Sequence, residues 1–174
     1  MLEILHVGAG GHSLPANFAR PYCETSLDMD AGWQPDILAD MADLPPGIGP
    51  FDVVYGSHCL EHLPFHKTQP CLKGWLNVLK PGGVLIQLLP DLEGVEPNDD
   101  VLYLAEDDIP VRGRDLFYGH SDLVAIWPGM QHLSGFTAAT LRKQFEAAGF
   151  VDVMVSRSGA DGCYNLLAIG VRSK

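Results

Sequence analysis

The chain has 174 residues, of which 47% are hydrophobic and 19% charged, with a formal net charge of −11. That length suits one domain with a real core, and that composition excludes a disordered tail. Eleven Lys and Arg residues without a basic run do not supply the positive face that a nucleic acid requires, so a small-molecule or protein partner is expected instead.

The N-terminal MLEILHVG has no basic start and no small-residue cleavage site, so residues 3–9 read as a buried strand ended by glycine rather than as a leader. No stretch of 18 apolar residues follows anywhere, which excludes a membrane-spanning helix. Ser13 can cap a short helix over 15–19 that Pro21 stops. A second strand is predicted over 22–29. The DAGWQP that follows is too short and too rich in breakers for a helix, so the third strand, 36–40, comes almost at once. One crossover helix of an alternating pattern is thereby reduced to a loop. After the loop LPPGIGP, a fourth buried strand is predicted at 51–57.

Leu72, Trp75, Leu76 and Leu79 recur at helical spacing within 66–80 and give that helix one buried face. PGG at 81–83 ends it, and VLIQLLP (84–90) is a fifth strand. Residues 91–135 show no clear period and read as a lid or mobile loop. The helix after it is well marked: Thr137 caps it, Phe136 and Leu141 are placed for a hydrophobic staple, and Gly149 closes it. Two strands flanking the turn-rich SGADGC complete the chain as a hairpin. The four cysteines (Cys23, Cys59, Cys71 and Cys163) form no CxxC pair. This argues against a metal cluster and a disulfide framework, and for free thiols in a reducing cytoplasm.

Alternation of strands and helices argues for an α/β fold built on a mainly parallel sheet, with ligands bound outside the carboxyl ends of the strands beside the first one. The turn after that strand carries Gly8, Ala9 and Gly10. Glycine there lets the chain turn sharply and a ligand approach the main chain, although any strand-to-helix turn can use it. Asp28 lies about 20 residues on, at the end of the second strand, where a carboxylate accepts both hydroxyls of a ribose. Asp30 falls beyond the strand and is the weaker of the two. Asp40 can accept from an adenine amino group, with Met29 and Met41 offering polarisable faces to the ring. The alternative for the Asp40 stretch is a solvated loop.

Read together, LHVGAGG, LDMD, DILADMADLP, FDVVYGSHCLEHLP and LKPGGVLIQLLPD resemble, in order and spacing, the class I methyltransferases that use S-adenosylmethionine, most closely their small type-11-like group. The match covers residues 3–90 and 132–172. The resemblance implies a Rossmann-like three-layer sandwich with a seven-stranded, mostly parallel sheet whose last strand is antiparallel. It implies a single methyltransferase-like domain over 1–174, with 91–135 as the acceptor-site insertion. Gly8, Ala9 and Gly10 would hold the methionine part of the cofactor and Asp28 the ribose. Met29 would lie beside the adenine, Asp40 and Met41 at its edge, and Ser57 and His58 in the cleft after strand four. Two residues depart from the family pattern: His6 stands near a usual acid, and His12 replaces a last glycine.

Methyl transfer from a sulfonium needs alignment and exclusion of water, and a general base where the acceptor must lose a proton. Candidates for that base are His58, Glu61, His62 and His132, with Tyr118 and His120 in the 91–135 segment. His58 ranks first because it follows strand four at the cleft edge, and His132 second. Glu61 and His62 have an alternative role in capping or orienting the next helix. His6 reads as a core histidine, and no residue set reads as a metal site. The 91–135 segment holds ten acidic residues and two arginines, Arg112 and Arg114, which disfavours a phosphate-rich acceptor. A non-catalytic module acting with a partner and a nicotinamide-dependent oxidoreductase remain as alternatives to methyl transfer onto a small molecule or sugar. The oxidoreductase lacks a Tyr-x-x-x-Lys pair for hydride chemistry.

Overall fold

A computed structural model describes residues 1–16, 18, 21–105, 108–158 and 164–174. In chain order the strands are β1 (Leu2–Val7), β2 (Tyr22–Asp28), β3 (Ile37–Leu38), β4 (Phe51–Ser57), β5 (Leu79–Pro90), β6 (Val101–Leu104), β7 (Pro110–Arg112), β8 (Val151–Ser158) and β9 (Asn165–Val171). The helices are α1 (Phe65–Val78), α2 (Gly113–Tyr118), α3 (Ser121–Ile126) and α4 (Ala138–Ala148). Seven strands form one sheet in the order β3-β2-β1-β4-β5-β9-β8. The pairs β1–β2, β1–β4, β2–β3 and β4–β5 are parallel, whereas β9 runs antiparallel to both β5 and β8. This is the seven-stranded α/β sandwich with an antiparallel last strand that the sequence implied.

Side chains alternate across each strand, so each strand gives one set to each face. Leu5, Val7, Val54, Leu85 and Leu166 point into the main core with Leu72 and Trp75 of α1 and Leu141 and Phe145 of α4. On the opposite face Ile4, Val53 and Tyr55 pack under Leu14, with Phe18 beside them. The helix expected over 15–19 falls partly on residues outside the described set. The described part makes one turn, with Phe18 N donating to Pro15 O at 3.2 Å. The β2–β3 link is a single tight turn over Ala31–Trp33, capped by Asp30, whose Oδ1 accepts from Gly32 N at 2.8 Å.

Two boundaries differ from the sequence reading. Helix α1 ends at Val78, not at 80, and Leu79 is already extended (φ −79°, ψ 150°) as the first residue of β5. The approach to Pro81 disfavours helical backbone in the residue before it. Residues 91–135 are also more regular than expected. They hold the β6–β7 hairpin and helices α2 and α3, each element being only three to six residues long and thus too short to show a period. Helix α4 follows expectation: Thr137 caps it through Thr140, Phe136 and Leu141 are buried, and Gly149 ends it at φ +108°.

Asp52 ties the start of the sheet together, its Oδ2 accepting from Glu3 N and from Lys80 Nζ, both at 2.8 Å. The Glu3 amide, then Lys80, hold its carboxyl below the ordinary value of 3.8. A depressed carboxyl stabilises the fold above the unfolded value and loses that contribution as pH falls through the folded one. Asp52→Asn is therefore expected to cost about 1 kcal/mol in urea unfolding at pH 7. The gap between variant and parent should close below pH 3.8, and a gap independent of pH would contradict this account.

Candidate functional site

The parallel strands β3, β2, β1 and β4 end side by side, and their carboxyl ends carry the glycine turn, Asp28, Ala39–Ala42 and Ser57–His62. Val7 passes into Gly8 (φ +62°), Ala9, Gly10 (φ +53°) and Gly11 (φ +73°). A Cβ at Gly8 would lie 2.6 Å from Cys59 Cβ, and one at Gly11 would lie 2.7 Å from Cε3 of Trp33. Both positions thus need glycine for space as well as for backbone angle. Trp33, from the turn that replaces a crossover helix, sits beside Gly11 in the room so left.

Asp28 closes the turn. Its Oδ2 accepts from Gly10 N at 2.8 Å and its Oδ1 from Asp30 N at 2.9 Å. A carboxylate has about four acceptor sites, so both oxygens keep capacity for a ligand hydroxyl. Ala39 N donates to Asp28 O at 2.9 Å, which sets the 39–42 stretch beside it. There Asp40 Oδ1 accepts from Ala42 N at 2.8 Å, and Met41 O accepts from Trp75 Nε1 at 3.0 Å and Cys71 Sγ at 3.4 Å. The buried helix α1 thereby anchors the loop. Met29 is 75% exposed beside it.

A cleft of about 320 Å³ opens at this turn. It brings together Ala9, Gly10 and Asp28 of the sequence candidates, and adds Gly11, His12, Glu24, Ser26, Trp33 and Asp36. Gly8, Met29, Asp40, Met41 and Ser57 do not line it; they flank it along the strand ends. Sequence reasoning missed Glu24 and Ser26, although the period of two in a strand puts Glu24, Ser26 and Asp28 on one face. Asp36 is fixed there by Ser26, whose backbone N and Oγ both donate to its Oδ2 at 2.8 Å. Those bonds hold its carboxyl below the ordinary value. His6 is a core histidine, as expected: it is 3% exposed, its Nδ1 lies 2.8 Å from Glu24 Oε1, and its ring meets Tyr55 edge-on.

The second group of candidates lies after β4. His58 is exposed and adopts a left-handed backbone (φ +50°), anchored by its N donating to Leu88 O at 2.7 Å. Glu61 follows in a tight turn over Leu60–His62 and is 1% exposed. Neither of its carboxylate oxygens has a hydrogen-bond partner among the described residues, since His58 Nδ1 approaches Oε1 only to 3.4 Å without hydrogen-bond geometry. Burial pushes the Glu61 carboxyl up, but the nearby His58 and His62 outweigh it and leave the group below its ordinary value. His132 returns to this turn from the 91–135 segment. Leu133 N and Ser134 N donate to Glu61 O at 2.8 and 3.0 Å, and the His62 and His132 rings meet at 5.0 Å. Burial holds His132 below the ordinary histidine value. Tyr118 is exposed, and His120 is partly buried with neither ring nitrogen hydrogen-bonded among the described residues. Cys59 and Cys71 are buried free thiols, and burial raises both.

A glycine turn buckled to an acid at the next strand end, on a parallel sheet closed by an antiparallel hairpin, defines a Rossmann-like fold. Residues 5–87 match the family described as "Methyltransferase domain", and the sheet order is that of the class I methyltransferase fold. No curated protein sequence matches the chain. Among solved structures it resembles a possible exported protein from Bordetella parapertussis (16% identity, TM-score 0.66, covering 99% of this chain and 62% of that one). It also resembles the 1,6-didemethyltoxoflavin-N1-methyltransferase of Burkholderia thailandensis, solved with S-adenosylhomocysteine (18%, 0.64, 99% and 72%). A third similar structure is an S-adenosylmethionine-dependent methyltransferase from Mesorhizobium loti (17%, 0.66, 98% and 91%). At these identities the likeness concerns the fold. The chain spans less than two thirds of the first of these proteins. Among the described residues, no helix is long and apolar enough to cross a membrane.

Proposed function

We propose that the chain transfers a methyl group from S-adenosylmethionine to a small-molecule or sugar acceptor. The observation that carries this reading is the Gly8–Gly11 turn held by the Asp28 carboxylate at the mouth of the cleft. The residues suit the cofactor: at Gly10 the nearest atom to an added Cβ is His12 Cδ2 at 3.6 Å, so the main chain there stays open, and Asp28 retains acceptor capacity for a ribose. Bound there, the cofactor supplies an electrophilic methyl group on a sulfonium, whose departure leaves a neutral thioether.

The chain's own residues do the rest. Gly8, Ala9 and Gly10 take the methionine part against the main chain. Asp28 orients the ribose, with Met29, Asp40 and Met41 around the base and Ser57 at the cleft edge. His58 receives the proton of a hydroxyl or ammonium acceptor, and Glu61, 3.4 Å from its Nδ1, stabilises the imidazolium so formed. Residues 91–135 act as a lid within one domain: Trp127 of this segment meets Trp33, which lines the cleft, edge-on at 6.4 Å. Arg114 pairs with Asp99 and Arg157 with Asp91, so neither presents a free guanidinium to an anionic acceptor. The net charge disfavours nucleic acid, and the free thiols accord with a cytoplasmic setting.

Calorimetric titration with S-adenosylmethionine, S-adenosylhomocysteine and NAD tests the reading. Micromolar binding of the first two on the order of −8 kcal/mol is expected, followed by a radiolabelled methyl transfer screen over hydroxylated and amine acceptors. Binding of NAD alone would sink the proposal.

A further inference from the structure

The turn after β4 and the 91–135 segment build a second constellation outside the cleft lining, of which the proposed methyl transfer uses only Glu61, in support of His58. Glu61, His62 and His132 each offer one ligand atom, and these atoms lie within 4.8 Å of one another. Three features mark the group as built for a cation. Glu61 is 1% exposed, yet neither of its oxygens is hydrogen-bonded among the described residues, and only His58 Nδ1 approaches one of them, at 3.4 Å. A buried carboxylate without hydrogen bonds is costly unless something positive completes it. Next, His62 Nδ1 lies 3.1 Å from Gln131 O and His132 Nδ1 lies 2.8 Å from Leu116 O. A carbonyl oxygen only accepts, so each Nδ1 carries a proton, and in the neutral imidazole each Nε2 keeps its lone pair. Outer hydrogen bonds of this kind fix the tautomer and orientation of metal-binding histidines. Finally, His58 stands beside the group as a further imidazole donor, 3.4 Å from Glu61 Oε1.

We propose that Glu61, His62 and His132 bind a first-row divalent transition-metal ion, with His58 as a neighbouring donor. Two imidazoles and one carboxylate suit Mn²⁺, Fe²⁺, Co²⁺ or Zn²⁺ better than Mg²⁺, which prefers oxygen ligands. The ion would sit where β4 ends and tie the 91–135 segment to that turn, since His132 belongs to the former and Glu61 to the latter. A hydroxylated acceptor placed there would gain a Lewis acid that eases loss of its proton. The site stands on its own residues and does not depend on the cofactor reading.

The metal-stripped, tag-free chain is titrated calorimetrically with Zn²⁺, Co²⁺ and Mn²⁺, with Mg²⁺ as control, and the visible spectrum of the Co²⁺ form is recorded. Expected are one equivalent of Zn²⁺ or Co²⁺ bound, d–d bands, and a higher thermal midpoint. His62→Ala and His132→Ala should each weaken binding on the order of 100-fold. Glu61→Gln keeps the shape of the buried side chain and guards against misfolding; it should lose the metal-dependent rise in midpoint while still unfolding cooperatively. Absence of binding overturns the proposal, as does stoichiometric binding that survives all three substitutions. S-adenosylhomocysteine titrated into metal-free protein reports the cleft alone, so the two readings can fail separately.

Discussion

Asp28→Asn is expected to weaken S-adenosylhomocysteine binding on the order of 100-fold, or about 2.7 kcal/mol. The two carboxylate oxygens accept from Gly10 N and Asp30 N, respectively. An amide can present only one oxygen, so its NH₂ must face one of those two N–H donors. One backbone donor is then left without an acceptor, at a cost of about 1–3 kcal/mol, and the turn relaxes away from the position that a ligand uses. The ribose loses a charged acceptor at the same time. Titration calorimetry reads the affinity, and urea unfolding of the free protein reads the turn alone. A loss of stability without a loss of affinity would mean that Asp28 serves only the loop, and the cofactor site would have to be sought elsewhere along the strand ends.

What the sequence made legible follows from where its signals are local. β1 and β4 announce themselves by apolar runs ended by Gly8 and Ser57, and β2 by its ending in the acid Asp28. α4 announces itself by Thr137 and Gly149, because caps and left-handed terminators act within one turn. Asp28 was found from its distance to the glycines, and the structure does bond it to Gly10. The rest depends on contacts between distant residues. His132 joins Glu61 and His62 from 70 residues away only because Leu133 and Ser134 dock on Glu61 O, and no spacing rule reports that. The β6–β7 hairpin and helices α2 and α3 are too short for periodicity to show. Trp33 gave no sign of which surface it covers. Its partner is the bare backbone of Gly11, a contact made possible by the absence of a side chain. Glu24 and Ser26, by contrast, are readable from strand alternation, which puts both on the same face of β2 as Asp28.

Gly8→Ala should destabilise the protein by about 2–4 kcal/mol, whereas Gly10→Ala should cost about 1 kcal/mol. Both residues have positive φ, at +62° and +53°, so both variants incur the left-handed penalty of an L side chain. Only Gly8 adds a collision. Its new Cβ would stand 2.6 Å from Cys59 Cβ, while at Gly10 the nearest atom is His12 Cδ2 at 3.6 Å, an ordinary contact. The Cys59 β-carbon cannot swing away by a rotamer change, so the backbone on one side must move. Cys59 is the residue that leads into the Leu60–His62 turn, and a shift there displaces Glu61 and His58 together. Gly8→Ala is thus expected to lower both S-adenosylhomocysteine and Zn²⁺ affinity, although it lies outside the Glu61, His62 and His132 group. Adding Cys59→Gly removes the opposing carbon. The double variant should recover the collision part of the loss and keep the backbone part, ending near Gly10→Ala in urea unfolding. If the double variant is no better than Gly8→Ala alone, the backbone angle at Gly8 carries the whole effect, and the glycine turn and the Glu61 turn are not coupled through Cys59.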